Sequence, residues 1–229
     1  MSHPTAPFLP STQWITTQDG SVTLMGPHLE PYHSVHGALT ESQHVYQQAG
    51  LAYWHQQHPH ATTCHLLEVG YGTGLNASVA CTLTRPGVSL HYTGLDPHPL
   101  DPSTLSPLLH SLPTPVATQL AQLNALSWGD RHVLSPSLSI QKHPLAVQDW
   151  VPHTPIDVLF LDAFSPTLDP ALWDPTCLAL YASFLRSGGV LVTYCAKGTV
   201  RRGLMQAGLI VTRLPGPPGK HHMLRGIQV

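Results

Sequence analysis

Charge is scarce in this chain of 229 residues: 10% are Asp, Glu, Lys or Arg, against 42% hydrophobic. That balance excludes a highly charged, unfolded chain, and the length suits one α/β domain with a substantial core plus an extension. Long apolar runs are also missing. No stretch approaches the roughly 20 residues that cross a bilayer. Met1-Ser2-His3-Pro4 lacks a basic region followed by an apolar one, so neither a membrane span nor a signal peptide is expected. The four cysteines, Cys64, Cys81, Cys177 and Cys195, contain no Cys-x-x-Cys pair. A disulfide framework is excluded and a reducing cytoplasm is the expected location. The 17 histidines are scattered. His55 and His58 would share a helix face, but no third ligand has sensible spacing, so a metal hydrolase is a weak alternative and no metal is expected.

The most informative absence is that of acids from the last quarter. Residues 1–174 hold all 12 acids and 3 bases, a net −9; residues 175–229 hold 7 bases and no acid, a net +7. Such polarity fits a face that docks on phosphates, or equally a solvated basic surface.

What is present alternates between strands and helices. A helix is expected from about Thr40 to His55. Cys64–Val69 reads as a strand, Leu75–Cys81 as a helix, and Val88–Leu95 as a second strand ending at Asp96. Proline-broken helical material fills residues 104–127, and Ser137–Lys142 reads as a third strand. Ile156–Leu161 is a buried strand ending at Asp162. Pro175–Leu185 (helix), Val190–Tyr194 (strand) and Thr199–Ala207 (helix) follow, with Leu209–Leu214 and His222–Gln228 as a closing antiparallel pair. The pattern predicts a Rossmann-like, mostly parallel sheet over residues 61–229, preceded by an N-terminal extension over 1–60 that packs near the ligand pocket. Ligands in that architecture bind beyond the carboxyl ends of the strands, where Glu68, Asp96 and Asp162 fall.

Gly70-Tyr71-Gly72-Thr73-Gly74 follows the first of these strands. Glycine suits a sharp turn that a ligand approaches closely. The spacing is not the Gly-x-Gly-x-x-Gly of a pyrophosphate loop, which favours S-adenosylmethionine over a dinucleotide. Glu68 is placed to orient the cofactor's methionine portion, directly or through water. Asp96 is placed to accept hydrogen bonds from ribose hydroxyls, or simply to start a turn before Pro97. In Leu161-Asp162-Ala163-Phe164-Ser165-Pro166 an acid at a strand end precedes an aromatic and a proline. Methyl transfer to an amine is an in-line displacement governed by positioning. A carboxylate can direct the amine's lone pair and accommodate its developing charge, with Phe164 packing on the acceptor or the sulfonium.

These residues resemble a known family. Glu68-Val69-Gly70-Tyr71-Gly72-Thr73-Gly74-Leu75-Asn76 is similar to the cofactor loop of the MnmC-type (MnmD) tRNA methyltransferases, which complete 5-methylaminomethyl-2-thiouridine at the wobble position. Tyr32–Ala38 with Glu41–Tyr46 resembles the segment before their Rossmann-like domain. Leu161–Pro166 with Asp169-Pro170 and Trp173 resembles their acceptor motif, and Val200–Leu204, Ala207-Gly208 and Gly219–Leu224 their C-terminal part. The resemblance implies that Asp162 is the catalytic acid. It implies a cofactor site formed by Glu68, Gly70, Tyr71, Gly72, Gly74, Asp96, Tyr32 and Glu41. Phe164, Lys197, Arg201, Arg202 and Lys220 are the expected substrate and RNA contacts. The bifunctional members carry a flavin-dependent oxidase half for which 229 residues leave no room, so methylation without FAD is expected, on the anticodon stem-loop of tRNA, by a monomer. Where related enzymes place an acid for the adenine amino group, Gln141-Lys142-His143-Pro144-Leu145 has none. Two alternatives remain: a polyamine aminopropyltransferase, whose glycine loop usually carries an acid, and a non-catalytic RNA-binding module.

Overall fold

Alternation of apolar residues along the central strands sets the layers. In β3 (Thr63–Val69) Leu66 joins one core cluster, while Leu67 and Val69 join another. In β7 (Ile156–Leu161) Val158 and Phe160 divide in the same way from Leu159 and Leu161. Strands apolar on both faces need cover on both sides. A computed structural model describes residues 13–229 apart from 27, 28 and 84, so the first 12 residues of the expected extension lie outside the described residues.

Eight strands form one sheet. β6 (Leu138–His143), β4 (Ser89–Leu95), β3, β7 and β8 (Leu185–Thr193) run parallel. β10 (His222–Ile227) pairs antiparallel with β8 and with β9 (Ile210–Pro215), so the expected closing pair is present. Two hairpin features were not expected: the edge strand β5 (Arg131–Ser135), antiparallel to β6, and the separate pair β1 (Trp14–Thr16) and β2 (Val22–Leu24). Both are short: β1 and β2 have three residues each and β5 five, too few for alternation to stand out in the sequence. The order across the sheet is β5-β6-β4-β3-β7-β8-β10-β9.

One side of the sheet is covered by a continuous helical stretch: α1 (Ala38–Glu41), a π-helical segment (Ser42–Ala52) and α2 (Tyr53–Gln57). Val45, Tyr46, Leu51 and Trp54 bury against Phe160, Val192 and Met223. The helix lies close at Gly50, where an added Cβ would stand 2.8 Å from Val192 and 3.0 Å from Phe160. The segment read as an extension therefore shares the main core. α3 (Leu75–Thr82) and α5 (Thr114–Asn124) complete this layer beyond α4 (Ser106–Ser111). On the other side α6 (Pro175–Phe184) and α7 (Gly198–Gln206) pack over β7, β8 and β10. Between β6 and β7 there is only a short 3₁₀ turn, Val147–Asp149. The β4–β6 part of that face consequently leaves His91 and His143 half-buried.

The glycine loop is anchored to this core by Tyr71, which is 2% exposed and stands edge-on to Trp128 at 5.4 Å. Gly94 on β4 lies against the Tyr71 ring with no room for a Cβ. Overpacking a closed core costs about 1–3 kcal/mol. Gly94→Ala is therefore expected to lower stability by about that much, seen as a lower urea midpoint at unchanged slope; an unaltered midpoint would show that the Tyr71 ring yields freely.

Candidate active site

Three strand ends are tied together by the glycine loop. The Gly70 and Tyr71 amides donate to the Leu95 carbonyl at the end of β4, at 3.0 and 3.1 Å, and the Asp162 amide donates to Val69 at 2.9 Å. Gly70 has φ +89°, and a Cβ there would meet the Asp162 carbonyl at 2.5 Å, so only glycine fits between β3 and β7. Gly72 (φ +51°) donates its amide to Asp96 Oδ2 at 2.8 Å, while Asp96 Oδ1 accepts from the His98 amide at 2.8 Å. Burial raises the Asp96 carboxyl above its ordinary range, against these two donors. Gly74, left-handed at φ +81°, opens α3.

Asp162 is held at both oxygens. The Tyr46 hydroxyl donates to Oδ1 at 2.5 Å, and Asn76 Nδ2 donates to Oδ2 at 2.6 Å. The same Asn76 nitrogen donates to Glu68 Oε1 at 2.9 Å, and the Tyr92 hydroxyl donates to Glu68 Oε2 at 2.6 Å. Burial pushes Asp162 up to about 7, helped by the negative charge of Glu41; Tyr46, Asn76 and Lys220 oppose the shift. Glu68 is driven well above its ordinary range, first by burial, with Asp162 and Asp96 adding repulsion. Its side chain is fully buried, with one oxygen held by Asn76 and the other by Tyr92.

The chain before β3 supplies the opposite wall. The Tyr32 ring packs on Gly72 and meets Phe164 edge-on at 5.0 Å. Burial and then Asp96 raise its hydroxyl to about 12. Glu30 accepts from the Ser165 amide at 3.0 Å and its hydroxyl at 2.8 Å, locking this segment to the loop after β7. His33 Nε2 hydrogen-bonds Thr73 Oγ1 at 2.9 Å. Glu41 accepts from the Ser34 amide at 2.8 Å and pairs with Lys220 Nζ at 2.5 Å. That ammonium also sits 4.0 Å over the Tyr194 ring, whose hydroxyl donates to Ala163 O at 3.0 Å.

Asp162, Gly70, Gly72, Asp96, Tyr32, Glu41 and Phe164 thus lie together around the strand ends. Two residues are placed differently. The Tyr71 side chain points into the core among Trp128, Lys142 and Gly94, because the turn between two glycines leaves it facing β4. Lys220 faces Glu41 and Tyr194 instead of offering its charge to RNA from an open surface. Lys197, whose ammonium donates to Thr167 Oγ1 at 2.9 Å, precedes α7 beside the loop after β7; Arg202 is exposed on α7 and Arg201 partly so. Tyr46, Asn76, Tyr92 and Glu30 were missed as site residues. Asn76 carried a signal: an amide on the first turn after a glycine loop points towards the strand ends.

Among the described residues no helix is long and apolar enough to cross a membrane, and no group of three His, Cys, Asp or Glu is placed to hold a metal ion. The sequence matches a family model described as S-adenosyl-L-methionine-dependent methyltransferase over residues 138–229. It is 32% identical over 209 residues to the tRNA 5-methylaminomethyl-2-thiouridine biosynthesis bifunctional protein MnmC of Magnetococcus marinus, covering 86% of this chain and 31% of that one. The MnmC of Nitrosospira multiformis is 32% identical over 211 residues, covering 85% and 33%. The chain therefore spans about a third of the length of these relatives. MNMC2 from Aquifex aeolicus shares the fold with a TM-score of 0.78 at 24% identity, over 96% of this chain and 72% of that one. Sheet order, glycine loop and sequence likeness agree: the chain is similar to S-adenosyl-L-methionine-dependent methyltransferases over residues 138–229 and to about a third of the length of the MnmC proteins.

Proposed function

We propose that this protein transfers the methyl group of S-adenosylmethionine to the exocyclic amine of 5-aminomethyl-2-thiouridine at the tRNA wobble position, acting in the cytoplasm as a monomer. The observation that carries the reading is Asp162: a carboxylate with both oxygens fixed and its pKa near neutrality, beside the glycine loop. The names of the MnmC relatives supply the tRNA and the modified uridine.

The residues present fit the cofactor. Gly72 brings the loop backbone against the Tyr32 ring with little room for a Cβ, and Asp96 presents a carboxylate beside it for the ribose hydroxyls. Gly70, Gly72 and Gly74 would line the nucleoside and amino-acid portions, with Tyr32 and Glu41 closing the pocket. When bound, S-adenosylmethionine supplies an electrophilic methyl on a sulfonium. Asp162 does the remaining work. An alkylamine arrives largely as ammonium and must lose a proton before its nitrogen has a lone pair to donate. A carboxyl titrating at about 7 takes that proton near neutral pH, while Tyr46 and Asn76 keep its oxygens from turning. Phe164 and Tyr32 shield the acceptor from water.

Asp162→Asn is expected to cut kcat/KM on tRNA bearing 5-aminomethyl-2-thiouridine by about 10²–10⁴-fold while cofactor affinity stays within about twofold. Full activity in the variant, or methylation of another nucleoside, removes the mechanism. Tyr46→Phe deletes a donor that favours the ionised carboxylate, so the acid limb of kcat/KM should move to higher pH. A limb that stays in place or moves to lower pH would disconnect Tyr46 from the titrating group. Lys197, Arg201 and Arg202 border the mouth on the α7 side, where RNA phosphates would dock. Removing both arginines should reduce the slope of log affinity against log salt by roughly 0.7–0.9 for each phosphate they neutralise. An unchanged slope assigns them to solvent.

A further inference from the structure

We infer that the sheet face left uncovered between β6 and β7 is a second binding site, separate from the glycine loop, that takes the phosphate of a nucleotide-sized ligand. The proposal does not rest on the methyl-transfer reading. A cavity of about 350 Å³ opens on this face, lined among others by His65, His91, Arg131, His143, Trp150 and His153. That volume suits a small ligand with a few convergent polar groups.

The register of the sheet makes the convergence. His65 pairs with His91 and His91 with Ser139 on adjacent strands, all on one face. The His65 and His91 rings are 4.8 Å apart. His91 Nδ1 hydrogen-bonds Ser139 Oγ at 2.7 Å, and Arg131 Nη2, reaching in from the edge strand β5, lies 3.3 Å from each. His143 and Trp150 form the other wall, their rings 6.3 Å apart, with His153 beside them. Four of the 17 histidines therefore meet one of only three bases found before residue 175.

Among the described residues no carboxylate lines this cavity. Asp157, at the β7 end of the same face, is occupied by Arg186 at 3.0 Å and by the His65 amide at 2.8 Å. Burial lowers the His65, His91 and His143 pKa values, and the charges they feel are cationic: His91, Arg186 and Arg131 for His65, Arg131 for His91, His153 for His143. A fixed guanidinium among imidazoles that lack a counter-charge is the complement of a phosphate. The anion supplies the missing negative charge and draws protons onto the rings. Trp150 gives an apolar plane for a base beside it.

The test follows the histidine ring signals by NMR in the full chain at low salt, with inorganic phosphate and, separately, with a single-stranded RNA hexamer carrying no terminal phosphate. Bound anion raises the ring pKa values; in the RNA arm, whose phosphodiesters do not titrate in this range, protons are therefore taken up on binding and affinity increases as pH falls from about 8 to 6, by up to about tenfold per pH unit for each proton. His65 and His91 should titrate at higher pH with ligand. Arg131→Ser, a change at an exposed edge position, should weaken binding at least tenfold and leave S-adenosylmethionine affinity unchanged. A response to inorganic phosphate alone assigns the site to a free phosphomonoester; a response to RNA assigns it to the nucleic-acid backbone. No ring shift with either probe, or shifts that persist unaltered in Arg131→Ser, overturn the proposal.

Discussion

One amide nitrogen, Asn76 Nδ2, donates to two carboxylates, and the chemistry of the site depends on that shared contact. Asn76 stands on the first turn of α3, directly after the left-handed Gly74, so the loop conformation fixes where the amide points. The other end of the loop is held at Gly70 against the backbone of Asp162. Loop and acid are therefore one device: a shift of the glycine turn moves the group that orients Asp162. Tyr92 and Tyr46 complete the line of donors, one for each remaining carboxylate oxygen.

The charges around that device explain what it can bind. Glu41, Glu68, Asp96 and Asp162 gather at the strand ends, and Lys220 is the cation paired among them. Charges removed from water interact strongly and are costly unless paired. A pocket of this sign welcomes a sulfonium and an ammonium, and it repels phosphate. On the proposed reading, an RNA substrate would place its backbone outside the pocket. Lys197, Arg201 and Arg202 supply a border of the required sign. Three of the seven C-terminal bases have other duties: Lys220 on Glu41, Arg186 on Asp157, and Arg225 over the Tyr53 ring at 3.4 Å. The sequence polarity is thus only partly a surface property.

Much of this was legible in the sequence because local physics writes it there. Strand periodicity placed Asp96 and Asp162, and Gly-x-Gly-x-Gly marked a turn that only glycine can make at Gly70. The closing β9–β10 pair was visible as two apolar runs separated by Pro215, Gly216, Pro217 and Pro218. What escaped depends on tertiary direction. Tyr71 sits between two loop glycines and looks cofactor-facing until the fold turns its ring to Trp128 and Gly94. Lys220 reads as a free base, and its partner lies 179 residues away. Tyr46 lies on a helix whose winding includes π turns, so α-helical spacing misassigns the face it presents.

The helical stretch 38–57 also changes what the N-terminal segment means for function. An appendage would leave the setting of Asp162 intact if removed. Here Tyr46 donates to Asp162, Gly50 lets the helix close on β7 and β8, and Glu30 and Tyr32 meet the loop after β7. A domain beginning at residue 61 would retain the glycine loop and the sheet. It would lack one of the two donors that hold Asp162 and the wall that excludes water from its carboxyl. Burial is the largest cause of the Asp162 pKa near 7. The boundary at residue 60 separates two stretches of sequence that form a single chemical unit, and the acid's readiness to accept a proton arises where they meet.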